Sequence, residues 1–222
     1  MRSDAMFGLI CCHDPKEPPY REIERVRFRA VSVTVGETLR ARLSCRAAAR
    51  TLTREGVREA VFPTEPIFRE AFAKFGIVPV SSVPLYRATA AAIVRRYMMR
   101  RGIDSHRATV LFAAEEVTTE FRRMVESLSA DVRYIALRVP DDGRLAAALQ
   151  RQRGVAAQRS GQNTPGLTVA FGAVEAEGTV LRFDDTLRVS YDSAYPNALL
   201  TALWRAGALD ADMLCVTSVE TE

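Results

Sequence analysis

The chain has 222 residues, of which 48% are hydrophobic and 26% charged, with a formal net charge of +4. This is the ordinary balance of a soluble globular protein. No run of about 18 apolar residues occurs, so the sequence predicts no membrane span and no membrane partner. The apolar stretch 6–12 is too short for a signal peptide, which predicts a cytoplasmic location and reduced cysteines at positions 11, 12, 45 and 215.

Charge is distributed unevenly along the chain. Residues 1–107 contain 20 Arg and Lys against 11 Asp and Glu, whereas residues 108–222 contain 11 against 16. The two halves therefore either pair electrostatically or face different partners. The basic residues are almost all arginine and alanine is abundant, a bacterial-type composition that GC-rich coding explains.

The first half predicts a mixed set of strands and helices. Apolar residues alternate with arginines over 26–45, which predicts a β-hairpin with its turn at Gly36 and Glu37. Helices are expected at 46–55, 65–76 and 85–101, and short strands at 58–62 and 77–80.

In this hairpin register four arginines share one face, namely Arg27, Arg29, Arg40 and Arg42. Such a basic face predicts anion binding, to nucleic acid or to an acidic protein surface. The alternative is that the arginines are solvated or pair with the acidic second half, since no aromatic residues interleave with them for base stacking.

The second half alternates strands with helices. Buried strands are predicted at 108–113, 132–139 and 167–174, with helices at 115–129 and 141–154 between them. This order predicts a parallel sheet with right-handed crossovers. Extended segments at 179–183, 187–191 and 213–219 and a helix at 196–207 complete the chain.

The predicted fold class is therefore α/β. A mixed α/β lobe with an antiparallel hairpin is expected over residues 1–103, and a lobe with a mainly parallel sheet over 104–222. One continuous domain is the alternative, because no flexible linker separates the two.

On this order of elements, residues 108–174 resemble a Rossmann-type nucleotide-binding domain. The G-x-G-x-x-G fingerprint of that family is replaced here by FAAEEVTTE. Without those glycines the backbone cannot approach a pyrophosphate, and Glu115 and Glu116 would repel one. NAD(P) is therefore not expected at the usual place, although Arg138 at the end of the second strand suits a ribose phosphate.

Four carboxylates follow the first two strands of this lobe: Glu115, Glu116, Asp141 and Asp142. Carboxyl ends of parallel strands meet at one edge, and Mg²⁺ prefers oxygen ligands. This pattern predicts a divalent-metal-dependent enzyme acting on a phosphorylated substrate. The alternative is that each carboxylate caps or electrostatically stabilises the start of its helix.

The stretch GLICCHDP combines cysteines with a histidine. On a strand, Cys11 and His13 share a side and Cys12 points the other way. No second pair at zinc-ligand spacing accompanies them, so a strand buried on both sides, with both cysteines in the core, is expected instead. His13 and Asp14 would mark the exit to solvent.

The catalytic residues remain unassigned, because the sequence shows no nucleophile elbow and contains two histidines. The leading hypothesis is a Rossmann-like protein, non-catalytic or degenerate, that binds a protein partner or a small ligand. The metal-dependent enzyme and the anion-binding or nucleic-acid-binding protein are the alternatives.

Overall fold

The computed structural model describes residues 7–12, 18–159 and 164–221. His13 and Asp14, with the exit predicted there, lie outside the described residues. In chain order the elements are β1 (Phe7–Cys11), β2 (Tyr20–Ile23), β3 (Val26–Ser32), α1 (Leu39–Arg54), β4 (Glu59–Val61), α2 (Arg69–Ala73), β5 (Val78–Pro79), α3 (Val83–Ala88), α4 (Ala90–Arg101), β6 (Thr109–Ala114), α5 (Thr119–Leu128), β7 (Tyr134–Arg138), α6 (Asp142–Arg153), β8 (Ala157–Arg159), β9 (Leu167–Phe171), β10 (Val180–Arg182), β11 (Arg188–Tyr191), α7 (Asn197–Arg205) and β12 (Val216–Glu220).

The chain forms two compact units. The first comprises Met1–Ser82 with Ala194–Met213, and the second comprises Val83–Ser193 with Leu214–Glu222. This division differs from the predicted lobes 1–103 and 104–222, because α3 and α4 belong to the second unit and α7 to the first. A single boundary in the sequence cannot describe a chain that passes between its units three times.

The first unit contains a five-stranded sheet in the order β2-β3-β1-β4-β5. Strand β1 pairs in parallel with β3 and β4, and β4 pairs in parallel with β5. Strand β2 runs antiparallel to β3 and forms one edge. The sheet is thus mainly parallel, with one antiparallel hairpin.

Strand β1 is buried on both faces, as the sequence predicted. On one face Ile10 packs in a cluster with Cys45 and Leu52 of α1. On the other face Phe7 packs with Phe28 and with residues of α7. A continuous apolar run is the pattern expected of such a strand.

The predicted hairpin at 26–45 is wrong. The antiparallel hairpin joins β2 to β3 through Glu24 and Arg25, which both have positive φ. The segment from Leu39 onward is helical instead, and Thr38 caps it by accepting a hydrogen bond from the Ala41 amide at 3.2 Å.

The reason for this error is that residues 39–45 satisfy two periods at once. Their alternation suits a strand, but the small and apolar positions also recur at helical spacing through the longer segment up to residue 54. The helix buries Ala41, Cys45, Ala48, Ala49 and Leu52 on one side. Arg40 and Arg42 therefore lie on a helix and not on a strand face with Arg27 and Arg29.

The second unit contains a five-stranded parallel sheet in the order β10-β9-β6-β7-β8. Helix α5 connects β6 to β7, and α6 connects β7 to β8. The strand order reverses at β6, which has β7 on one side and β9 on the other. The α/β class is confirmed, and this parallel sheet fits a Rossmann-like fold.

Both predicted crossover helices are present in this unit. Helix α5 buries Phe121, Met124, Val125 and Leu128 at the predicted spacing, and its Thr118 cap accepts from the Phe121 amide at 3.2 Å. The predicted helix at 85–101 is interrupted at Thr89. Within the described ranges, no helix is long and apolar enough to cross a membrane.

Candidate functional site

A cleft of about 450 Å³ lies at the carboxyl edge of the second sheet, where β6 ends at Ala114 and β7 ends at Arg138. Its apolar lining includes Ala114, Leu137, Val139 and Val174, and its charged lining includes Arg138, Asp142 and Glu175. Ligands of open parallel sheets gather at this edge, because the loops that follow the strands diverge there. Its volume falls in the range of small-molecule sites.

Arg138 joins the end of β7 to the opposite wall of the cleft. Its Nη1 donates a hydrogen bond to the backbone oxygen of Glu175 at 3.0 Å. The residue as a whole is half-buried, and this hydrogen bond of its guanidinium is exposed to solvent. A guanidinium held in this way is preorganised to meet an anionic group.

Arg182 of β10 holds the loop that follows β9. Its Nη1 donates to the backbone oxygens of Gly172 at 2.9 Å and Val174 at 3.1 Å. Its Nε lies 3.9 Å from Oδ2 of Asp184. These loop carbonyls take part in no strand pairing, and the Arg182 guanidinium supplies their hydrogen-bond donor. Its charged hydrogen bonds hold this wall of the cleft in place.

Gly172 lies where the strand order reverses, beside the end of β6. Its φ is +89°, and a Cβ at this position would lie 3.1 Å from Oε2 of Glu115. Glycine is the residue that this conformation and this close approach both favour. The Glu115 carboxylate therefore covers the point at which a dinucleotide-binding sheet presents its phosphate site.

Arg87 of α3 lies near the carboxyl end of β9. Its Cζ is 5.5 Å from the ring centroid of Phe171, the last residue of that strand. Its Nε is buried, and no acceptor among the described residues reaches it. The second sheet thus has guanidinium groups from α3, β7 and β10 near the ends of its strands.

The four predicted metal ligands do not form a metal-binding group. Glu115, Glu116 and Asp141 are exposed, and Asp142 is half-buried. Among residues 7–12, 18–159 and 164–221, no three His, Cys, Asp or Glu side chains are arranged to hold a metal ion. The carboxylate edge therefore gives no geometric support to a Mg²⁺ site.

The capping alternative holds only in part, because none of these carboxylates makes a side-chain cap bond. Thr118, not Glu115 or Glu116, caps α5. Asp141 precedes α6 with φ +56° and makes no side-chain cap bond. Asp142 remains in the first turn of α6, where its charge suits the helix dipole.

The predicted basic face is divided between two elements. Arg27 of β3 stacks on Tyr20, with Cζ 3.8 Å from the ring centroid. Arg29 forms an ion pair within the first unit, since its Nε lies 2.7 Å from Oε1 of Glu55. The hydroxyl of Tyr20 donates a hydrogen bond to the other oxygen of that carboxylate at 3.0 Å. Arg40 and Arg42 are exposed on α1.

The four cysteines lie in different surroundings. Cys11 and Cys12 are half-buried, Cys45 is buried and Cys215 is exposed. Burial raises the pKa of the Cys12 thiol, and the nearby carboxylate of Glu65 raises it further. Burial also raises the pKa of Cys45. These are properties of packed thiols and not of an activated nucleophile.

A second cleft, of about 470 Å³, lies between α4 and the end of β12. It is lined by Tyr97, Arg100, Arg101, Val219, Glu220 and Thr221. The Nη1 of Arg100 donates to the backbone oxygen of Val219 at 2.8 Å and lies 3.3 Å from the Glu220 carboxylate. Its charge therefore already stabilises the end of β12, and the cleft at the sheet edge is the better candidate.

Sequence reasoning missed Arg87, Gly172 and Arg182, which shape the sheet edge. Gly172 had a usable signal, because a glycine directly after a buried parallel strand often permits a close backbone approach. Arg87 and Arg182 had no such sequence signal, since the fold brings their partners close. The partner of Arg87 is an aromatic ring, and the partners of Arg182 are backbone carbonyls.

Comparison with known proteins gives little. A scan against protein-family models and a search of curated proteins both found no match to this chain. Among solved structures, the chain is similar to a mutant N-acetyl-L-ornithine transcarbamylase complexed with PALAO, at 12% identity and a TM-score of 0.26. The alignment covers 76% of this chain and 66% of that chain, slightly under two thirds of its length. A similarity of this size supports no inference about activity.

Proposed function

We propose that this protein binds a small polar ligand in the cleft at the carboxyl edge of β6 and β7. The observation that carries the proposal is the lining: one guanidinium, that of Arg138, and two carboxylates, those of Asp142 and Glu175, set among apolar side chains. Small-molecule sites combine apolar walls with a few placed polar groups in this way. The ligand then presents an anionic group to Arg138 and a hydrogen-bond donor to Asp142.

The proposal is for binding without turnover. The described lining of the cleft contains no serine, threonine, cysteine, histidine or lysine. The described lining therefore offers no hydroxyl, thiol, imidazole or amine nucleophile, and metal-assisted hydrolysis needs converging ligands. The lining supports recognition of charge and shape, which fits a degenerate Rossmann-like binding protein.

The test is a titration of the ¹⁵N-labelled full chain with citrate, ribose 5-phosphate and AMP, each with and without Mg²⁺. We expect at least one probe to shift the amides at 138–142 and 172–175. Replacing Arg138 by alanine should weaken the binding of that probe by about tenfold or more, because a hydrogen bond to a charged group is lost. Asp142→Asn should weaken the binding of probes that carry a hydrogen-bond donor. The control variant Arg123→Ala, on the exposed face of α5, should bind every probe like the native chain.

Two outcomes contradict the proposal. If none of the probes perturbs the cleft amides, the cleft is not a site for small polar anions. If a phosphorylated probe is hydrolysed in the presence of Mg²⁺, and Asp142→Asn or Glu115→Gln abolishes the reaction, the protein is an enzyme. The spectra of the variants show whether each one remains folded.

A further inference from the structure

The outward side of α1 carries an unusual combination of residues. At 100° per residue, the positions opposite the buried side form one stripe along the helix, flanked by two further arginines. The arginine–leucine face of α1 consists of Leu39, Leu43, Arg46, Arg50 and Arg54, with Arg40 and Arg42 at its sides. Leu39 is 72% exposed and Leu43 is 53% exposed.

The positive charge of this face is not neutralised within the first unit. Helix α1 contains five arginines and no acidic residue. None of the five forms an ion pair with another described residue, and Glu55, which follows the helix, is bound to Arg29. The acidic residue nearest to the amino end is Glu37, which is itself exposed. The face therefore presents a net positive surface to the solvent.

The two leucines are placed together and not scattered. Leu39 and Leu43 are four residues apart, so they are neighbours on the helix surface. Val35, which precedes the helix, is also 39% exposed. Single exposed leucines need no explanation, but an apolar pair bordered by guanidinium groups matches a surface that is apolar and anionic at once.

We infer that the arginine–leucine face of α1 docks on an anionic phospholipid surface. Clusters of four or more arginines on an amphipathic helix suit phosphatidylserine headgroups, and exposed leucines can enter the boundary of the acyl chains. A nucleic acid would favour stacking aromatics, which this face lacks. A protein interface would favour aromatic anchors, and leucine is rare among such anchors.

This inference concerns reversible surface binding, and it departs from the sequence-based expectation of no membrane partner. It involves the first unit and does not depend on the cleft in the second unit. A protein that fails to bind small polar ligands can still bind vesicles, and a protein that fails to bind vesicles can still bind small polar ligands.

The experiment is co-sedimentation of the full chain with vesicles of phosphatidylcholine alone, and of phosphatidylcholine mixed with phosphatidylserine. We expect binding to the mixed vesicles only, and weaker binding at high salt because ions screen the arginines. The double variant Arg50→Ala/Arg54→Ala should bind about tenfold or more weakly. The matched control Arg122→Ala/Arg123→Ala, on the exposed face of α5, should bind like the native chain.

A second variant tests the apolar component. Leu39→Ser/Leu43→Ser should weaken binding to the mixed vesicles while the salt dependence stays the same. These side chains are exposed, and urea unfolding should show that the variants are folded.

Three outcomes would overturn the inference. One is absence of binding to mixed vesicles at low salt, and another is equal binding to both kinds of vesicle. The third is tight binding of a single-stranded oligonucleotide that the Arg50→Ala/Arg54→Ala variant loses, with no vesicle binding. That third result would assign the face to nucleic acid instead.

Discussion

The two sheets differ most at their carboxyl edges. In the first unit, the described residues that follow β1 and β4 include apolar side chains that pack against the core, Cys12 and Phe62, and Phe62 contacts Phe72 edge-on at 5.1 Å between centroids. In the second unit, β6 is followed by two exposed glutamates and a cleft lined by Arg138. Both sheets are mainly parallel, so topology alone does not make a ligand site.

This difference shows where ligand chemistry can occur. A parallel sheet brings loops together at one edge, but water and a polar ligand enter only where side chains leave that edge open. In the first unit, Cys12 and Phe62 at this edge pack against the core, and arginines are presented on the outside of α1. The second unit presents its charges at the edge itself. The predictions below examine the two arrangements in turn.

The largest effect is expected in the two cores, which should be equally intolerant of truncation. Phe28 of β3 and Phe112 of β6 are both fully buried. Replacing either by alanine should lower the free energy of unfolding by about 3–5 kcal/mol in urea titrations. Leu43→Ala, at an exposed site, should cost about 0.5 kcal/mol or less. A cost below about 1 kcal/mol for Phe28→Ala would show a looser first core than the structure has.

The next effect concerns how tightly helices lie on the two sheets. A Cβ on Gly8 of β1 would lie 2.9 Å from Cβ of Ala60 and 3.2 Å from Cδ1 of Leu52, which α1 places over the strand. Gly8→Ala should therefore cost about 1–3 kcal/mol through overpacking.

The matched control for Gly8 is a glycine in the second unit. A Cβ on Gly143 in α6 meets nothing within 4 Å. Gly143→Ala should raise the free energy of unfolding by about 0.5–1 kcal/mol through helix propensity. If denaturant titrations show that Gly8→Ala lowers the free energy of unfolding and Gly143→Ala raises it, the close contact at Gly8 is supported. If both substitutions change it in the same direction, that contact is excluded.

The same contrast explains what could be predicted from the sequence. The second unit was predictable, because its strands are uniform apolar runs and its helices have a single apolar period, as at Phe121, Met124 and Leu128. The first unit was not, because the segment 39–45 fits both a strand and a helix. Burial of Cys45 and Leu52 in the core decides between them, and that contact is long-range.

The edge at which the candidate cleft lies could be predicted, but most of its side-chain contacts could not. The rule that ligands gather at the carboxyl ends of parallel strands identified the correct edge for a cleft. Arg138 and Asp142 were named because they follow the second strand, but the contact that Arg138 makes was not predictable, because it bonds a carbonyl that is 37 residues away in the chain. The carboxylates that were chosen follow the strands, but no three of them are arranged to hold a metal ion, since sequence adjacency does not fix side-chain direction.

A smaller effect tests the packing at the edge of the first sheet through the thiol of Cys12. Burial raises its pKa, and Glu65 raises it further by its charge and by accepting a hydrogen bond from the thiol. Less thiolate is then present at neutral pH, so alkylation by iodoacetamide should be slow. Glu65→Gln should lower the pKa and speed alkylation about two- to tenfold at the same pH.

Peptide mass spectrometry separates Cys12 from Cys215, whose exposed thiol serves as the internal reference. Glu70→Gln, an exposed substitution on α2, is the matched control and should leave the rate unchanged. If Glu65→Gln also leaves it unchanged, the carboxylate does not act on the thiol, and the edge is more open than its packing indicates.

The smallest effect tests the charged edge of the second sheet. Burial alone would raise the pKa of Asp184, but hydrogen bonds from the Thr186 hydroxyl at 2.6 Å and its amide at 2.9 Å, together with Arg182, lower it overall. A carboxylate whose pKa is lowered by folding contributes stability above its unfolded pKa, and this contribution disappears as the pH falls through the folded pKa. Asp184→Asn should therefore lower the melting temperature slightly at neutral pH, and the difference from the native chain should shrink as the pH falls below about 4. Asp185→Asn, an exposed neighbour, is the control. If the difference in melting temperature persists in acid, Asp184 acts through its shape and not through its charge. Arg182 then fixes the wall of the cleft through the carbonyls of Gly172 and Val174 alone.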